Sequence, residues 1–145
     1  MKRIFFFIVV TTLTFHANAQ ENVVTWFTSF NEKTSEIEIQ ANIEEGWHIY
    51  SQFVASDLGP IPTTFTFENN SGFTLIGNIL EPKAIHKYDP TFDASLDYFE
   101  KQVTFKQKIK TTQTTNLNGV ILYMACNDVR CIPPTDEKFT IQITK

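Results

Sequence analysis

Apolar and polar side chains alternate with a period of two along most of the chain, and no long 3.6-residue pattern competes with it. Val24, Trp26, Thr28 and Phe30 fall on one side of a strand. Ile37, Ile39, Ala41 and Ile43 alternate with Glu36, Glu38, Gln40 and Asn42, the signature of a strand with one face in a core and the other in water. Glu44, Glu45 and Gly46 form a turn signal ahead of an apolar strand over residues 47–50. Residues 63–67 and 73–76 flank Asn69, Asn70, Ser71 and Gly72, which favour a tight turn, and so predict a hairpin. Residues 85–96 are the least regular part. Residues 98–109 predict one long strand with Val103, Phe105 and Ile109 on one face. Residues 120–125 lead into the only cysteines, and Phe139, Ile141 and Ile143 mark the closing strand.

Eight or nine short strands separated by turn signals predict an all-β fold, an antiparallel β-sandwich of immunoglobulin-like type. The 14 phenylalanines, most at alternating positions, fill the space between two sheets. A small barrel would leave a similar pattern, so alternation does not fix the topology. The chain contains no repeat, low-complexity tract or linker, and residues 20–145 are expected to form one domain.

Composition changes the picture mainly at the N-terminus. Lys2 and Arg3 precede an apolar run over residues 4–15 broken only by threonines, and Ala17 and Ala19 supply the small residues of a cleavage site. This predicts a secretory signal peptide over residues 1–19; the alternative is a retained anchor helix. The run is short for a membrane span, and no later segment approaches one. No cysteine near the cleavage point would take a lipid. Of the 12 basic side chains, removing Lys2 and Arg3 leaves 10 against 16 acidic ones, net −6, a balance that argues against nucleic acid or an anionic membrane as partner. Export places the protein where disulfides form and persist.

Cys126 and Cys131 then carry the candidate chemistry, in the stretch Cys126-Asn127-Asp128-Val129-Arg130-Cys131-Ile132-Pro133-Pro134. Strands on either side of residues 127–130 would bring the sulfurs within bonding reach across a hairpin. As a staple the pair is poorly placed: closing a six-residue loop stabilises by about 2 kcal/mol, against about 4.7 kcal/mol for a hundred residues. As a redox pair it needs proximity, a thiolate and access for a partner. Arg130 favours the thiolate and Asp128 opposes it, while Pro133 and Pro134 lack the backbone donors for regular strand pairing. Spacing alone leaves structural and redox readings open. A zinc site with His48 or His86 is disfavoured, because neither histidine stands at ligand spacing from the cysteines; His48 reads as a satisfied strand residue. No metal or other cofactor is expected.

The cysteine stretch resembles the C-x-D…C-x-P-P signature of the periplasmic N-terminal domain of the thiol:disulfide interchange protein DsbD, with one residue fewer between the cysteines. Gly46-Trp47-His48-Ile49-Tyr50-Ser51-Gln52 is similar to that family's Gly-aromatic-x-aliphatic-Tyr-x-Gln strand, and residues 88–92 occupy the place of its acidic and aromatic cap loop. The resemblance covers the whole of residues 20–145. It implies an immunoglobulin-like sandwich with a redox-active pair, an electron-carrier domain rather than a stand-alone enzyme. By the same resemblance Cys131 is the attacking thiol and Cys126 the resolving one. Tyr88 or Phe92 shields the pair, and Asp89 or Asp93 tunes its proton balance. The implied partners are thioredoxin-fold periplasmic proteins and a membrane electron donor on a separate polypeptide, with this chain a periplasmic monomer that does not span the membrane. The competing expectation is a secreted immunoglobulin-like binding module whose disulfide is only structural.

Overall fold

The computed structural model describes residues 22–54, 57, 59–69 and 71–145; the expected signal peptide lies outside them. Eleven strands are found among the described residues, and no α-helix. They are β1 (Val24–Asn31), β2 (Glu36–Ile43), β3 (His48–Tyr50), β4 (Thr64–Phe67), β5 (Phe73–Leu80), β6 (Ile85–Asp89), β7 (Ala94–Glu100), β8 (Gln102–Thr111), β9 (Thr115–Tyr123), β10 (Ala125–Cys126) and β11 (Thr135–Ile143). Three antiparallel sheets result, in the orders β1-β2-β8-β5, β10-β3-β7-β6 and β11-β9-β4. The expected β-sandwich is the observed fold.

Alternation explains how the first and third sheets enclose a core. Ile37, Ile39, Ala41 and Ile43 of β2 are buried, as are Val103, Phe105 and Ile109 of β8; Leu117 and Ile121 of β9 and Ile141 and Ile143 of β11 meet them from the other sheet. Aromatic rings bridge the layers. Phe65 of β4 stands 4.8 Å from Phe105 of β8, and Trp26 of β1 lies 5.3 Å edge-on to Tyr123 of β9. Such offset and edge contacts add to the burial of large apolar surfaces. Gln107 is the polar exception on the β8 core face. Its Nε2 donates to the backbone oxygens of Ile76 and Lys108, at 3.2 and 2.9 Å, beside the irregularity in β5 between Ile76 and Leu80.

Three sequence expectations are corrected. Residues 98–109 are not one strand: Lys101, at φ 61°, breaks the run into β7 and β8. Opposite it, residues 44–47 turn through Gly46 (φ 81°), and the Lys101 oxygen accepts a 2.7 Å bond from Ile43 N. One long ladder, β2 against β8, thereby bends into β3 against β7 and starts the second sheet. Residues 63–67 and 73–76 do not form a hairpin either, because β4 pairs with β9 and β5 with β8. The turn signal there marks a crossing between sheets. Finally, residues 85–96 are mostly regular: β6 and β7 form a hairpin whose loop is only Pro90, Thr91, Phe92 and Asp93. These breaks raise the strand number to eleven.

Candidate functional site

The chain leaves the third sheet at the end of β9 and enters the second as β10, where Ala125 pairs with Ile49 and Cys126 with His48. It then reverses. Cys126 and Cys131 form an isolated antiparallel bridge, and Ile132 N donates to Ala125 O at 2.9 Å. Asn127 closes the reversal twice: its N donates to Arg130 O at 2.9 Å, and its Oδ1 accepts from Val129 N and Arg130 N at 2.9 and 2.8 Å. Short polar side chains stabilise tight turns in this way. Pro133 and Pro134 follow, and ladder pairing resumes only at Thr135 of β11.

The hairpin holds the sulfurs in a disulfide, with S–S 2.00 Å and Cα–Cα 4.0 Å. The two cysteines are not equivalent. Cys126 is 0 % exposed, whereas Cys131 is partly exposed. Val129 at the hairpin tip is 87 % exposed. The Arg130 guanidinium, expected beside a Cys131 thiolate, lies over the Trp47 ring at 5.3 Å.

Both cysteines pack into a second apolar cluster, apart from the main core, with Tyr50, Val54, Leu96 and Tyr98. Phe92, from the β6–β7 loop, joins it and meets Tyr50 edge-on at 5.8 Å. Of the two aromatic candidates for a cover, Phe92 therefore stands with the sulfurs. Tyr88 is exposed on the other face of β6, its hydroxyl donating to Asp93 Oδ1 at 2.5 Å. That bond is also what raises the Tyr88 pKa. Asp93, the left-handed residue that closes the loop (φ 51°), is likewise exposed.

Asp89, the last residue of β6, is the buried acid of the hairpin. Its Oδ2 accepts 2.6 Å from the Tyr50 hydroxyl and lies 3.3 Å from His48 Nε2, and its Oδ1 accepts 2.8 Å from Thr91 N. His48 Nε2 is also 3.0 Å from the Tyr50 hydroxyl and, with that hydroxyl's proton given to Asp89, donates to its oxygen. Burial alone would raise the Asp89 pKa; the bonds from Tyr50 and Thr91 and the nearby His48 outweigh it and hold the group below the usual value, as a carboxylate. Burial pushes Tyr50 far above its ordinary value, helped by Asp89. It also lowers His48, against the opposing pull of Asp89, Glu100 and Asp128. The network ties the β6–β7 hairpin to β3, the strand that pairs with Cys126.

His86 lies on the opposite face of the second sheet, with Nδ1 2.8 Å from Asp97, so the two histidines do not converge on the cysteines. Further residues complete the site. Glu81 accepts from the Ser51 hydroxyl at 2.5 Å and from Gln52 N at 3.0 Å, fixing the chain where it leaves β3. Tyr50 is legible only as part of the Gly46–Gln52 motif; Glu81 and Gly59, which touches Phe92, carry no sequence signal beyond ordinary loop chemistry.

The arrangement offers a short-loop disulfide with Cys131 partly exposed, Cys126 buried and the Phe92 ring packed in the same apolar cluster. Among the described residues no helix is long and apolar enough to cross a membrane. The family described as "Thiol:disulfide interchange protein DsbD, N-terminal" matches residues 16–143. The chain is also similar to the solved DsbD N-terminal domain of Neisseria meningitidis in its reduced form, at 14% identity and TM-score 0.63, covering 86% of this chain and 88% of that one. The structure of the complex between the DsbD and PilB N-terminal domains from the same organism matches at 13% identity and TM-score 0.59, covering 81% and 80%. The N-terminal periplasmic domain of ScsB from Proteus mirabilis matches at 19% identity and TM-score 0.53, over 81% of this chain and 44% of that one. At these identities the likeness is one of fold. No individually curated protein matches the chain.

Proposed function

This chain belongs to the family of DsbD N-terminal domains, and from that premise we propose that it is a periplasmic thiol:disulfide interchange protein that relays electrons to or from thioredoxin-fold partners. The observation that carries the proposal is the inequivalence of the cysteines: Cys131 is partly exposed and Cys126 fully buried in one short-loop disulfide. A partner thiolate attacks Cys131 Sγ, the intramolecular S–S bond breaks, and Cys126 leaves as the thiolate and takes up a proton. The partner's second thiol, losing its proton, then attacks its own sulfur in the mixed disulfide and releases Cys131. Two electrons enter this protein and the partner becomes a disulfide. In the reverse direction Cys131 attacks and Cys126 resolves.

Phe92 acts as the cap over the pair, and Asp89 anchors the cap through Tyr50 and His48. A complex of a related domain with a PilB N-terminal domain supports exchange with a separate protein partner. The signal-like segment over residues 1–19 and the periplasmic ScsB relative support the compartment. The other redox partner is a membrane electron donor.

Trapping tests the roles. Cys126→Ser is expected to accumulate a mixed disulfide through Cys131 with a thioredoxin-fold partner, and Cys131→Ser to accumulate none. The reverse pattern would exchange the roles, and no adduct with either variant would leave the disulfide structural.

A further inference from the structure

The β3–β4 connection meets the cap at Gly59, which adopts φ +110°. A Cβ added there would lie 2.5 Å from Phe92 Cδ1 and 2.9 Å from Cε1, closer than such carbon atoms approach in folded proteins. The Phe92 ring thus rests on bare backbone on one side and meets Tyr50 edge-on on another. Its closed position is held through the main chain as well, since Asp89 and Asp93 of the same hairpin are bonded to Tyr50 and Tyr88. Those bonds fix the loop, but they do not choose where the ring goes. The space left by the missing side chain at position 59 admits it.

We propose that Gly59 is a positioning residue for disulfide exchange, the seat that lets Phe92 close over Cys126 and Cys131. The inference rests on the reading of Phe92 as a cap. Any side chain at 59 evicts the ring and leaves Cys131 open to a partner or a reagent. The closed state is therefore set by two segments, the β6–β7 loop and the β3–β4 connection.

The test is the rate at which an alkylating reagent modifies the reduced pair, with thermal unfolding measured alongside. Gly59→Ala is expected to raise the rate several-fold, to the level of Phe92→Ala, and the double variant to show no further rise. Non-additivity of this kind marks two residues acting through one contact. Gly77→Ala is the control for backbone strain. Gly77 also has positive φ (66°), but nothing stands within 4 Å of a Cβ there, so stability should fall while the rate stays unchanged.

An unchanged rate in Gly59→Ala, or an effect that persists in full on the Phe92→Ala background, would overturn the inference. If Phe92→Ala itself leaves the rate unchanged, the cap reading fails; if only Gly59→Ala does, the seat alone fails. Should Gly59→Ala not fold, the unsubstituted protein carries the test through NMR. The Gly59 Hα resonances should carry a ring-current shift that disappears in Phe92→Leu, and resonances that do not respond to that substitution would overturn the proposal.

Discussion

At the scale of single residues, the site distinguishes two chemically identical side chains by burial. Cys126 enters from β10 into a closed apolar cluster, while Cys131 follows a four-residue reversal that leaves it at the rim. The polar counterpart is the trio of His48, Tyr50 and Asp89, three buried groups whose bonds close on one another. The His48 pKa is lowered from 6.5 in the fold, chiefly by burial. The unfolded chain therefore takes up the proton first, and stability present above pH 6.5 is lost as pH falls towards the folded value. His48→Gln should flatten that part of the pH–stability curve, measured by urea unfolding between pH 7 and pH 5. An unaltered slope would mean that another group carries it. Asp89, with its pKa also depressed, adds a further loss below about pH 3.8. The cysteines and the acidic cap stretch are legible in the sequence because their residue types are chemically distinctive. Tyr50 and Gly59 are not, because their roles arise only when separate strands and loops meet.

At the scale of elements, the proposed cap is a β-hairpin whose loop is only four residues long, fixed by one Asx bond, one tyrosine clasp and one buried carboxylate. Phe92→Ala should raise the alkylation rate of the reduced pair, and Asp89→Asn should do so less, since it weakens the anchor but keeps the ring. Equal rates in wild type and both variants would place the cover elsewhere. Sequence alternation located most strands, since a half-buried strand must alternate. It failed where strand ends change sheets. Lys101 in a left-handed conformation has no sequence signal, as lysine rarely adopts one. The turn residues at 69–72 stood correctly between two strands, but turn chemistry fixes a reversal and not which neighbours the strands then find.

At the scale of the whole molecule, a large aromatic core carries the fold, and the disulfide packs in a separate cluster. Phe105 is fully buried, with Trp26, Phe65 and Phe99 around it. Phe105→Ala should cost about 3–5 kcal/mol in denaturant unfolding. Reducing the Cys126–Cys131 bond should cost only about 2 kcal/mol, the loop-entropy value for so short a loop, and leave the protein folded. A reduced protein that unfolds would identify the bond as structural. Sandwich architecture was legible because it follows from many alternating strands and abundant large apolar side chains. The three-sheet division was not, since it depends on where ladders bend.

The central claim is that this disulfide exchanges in the native state. Its most direct test is equilibration of the folded protein with a thioredoxin or glutathione couple, reading the oxidised fraction of Cys126–Cys131 at each ratio. A reversible two-electron transition is expected at a potential above about −300 mV, within reach of thioredoxin-fold partners. A disulfide that stays intact in excess reduced thioredoxin while the fold persists would contradict it.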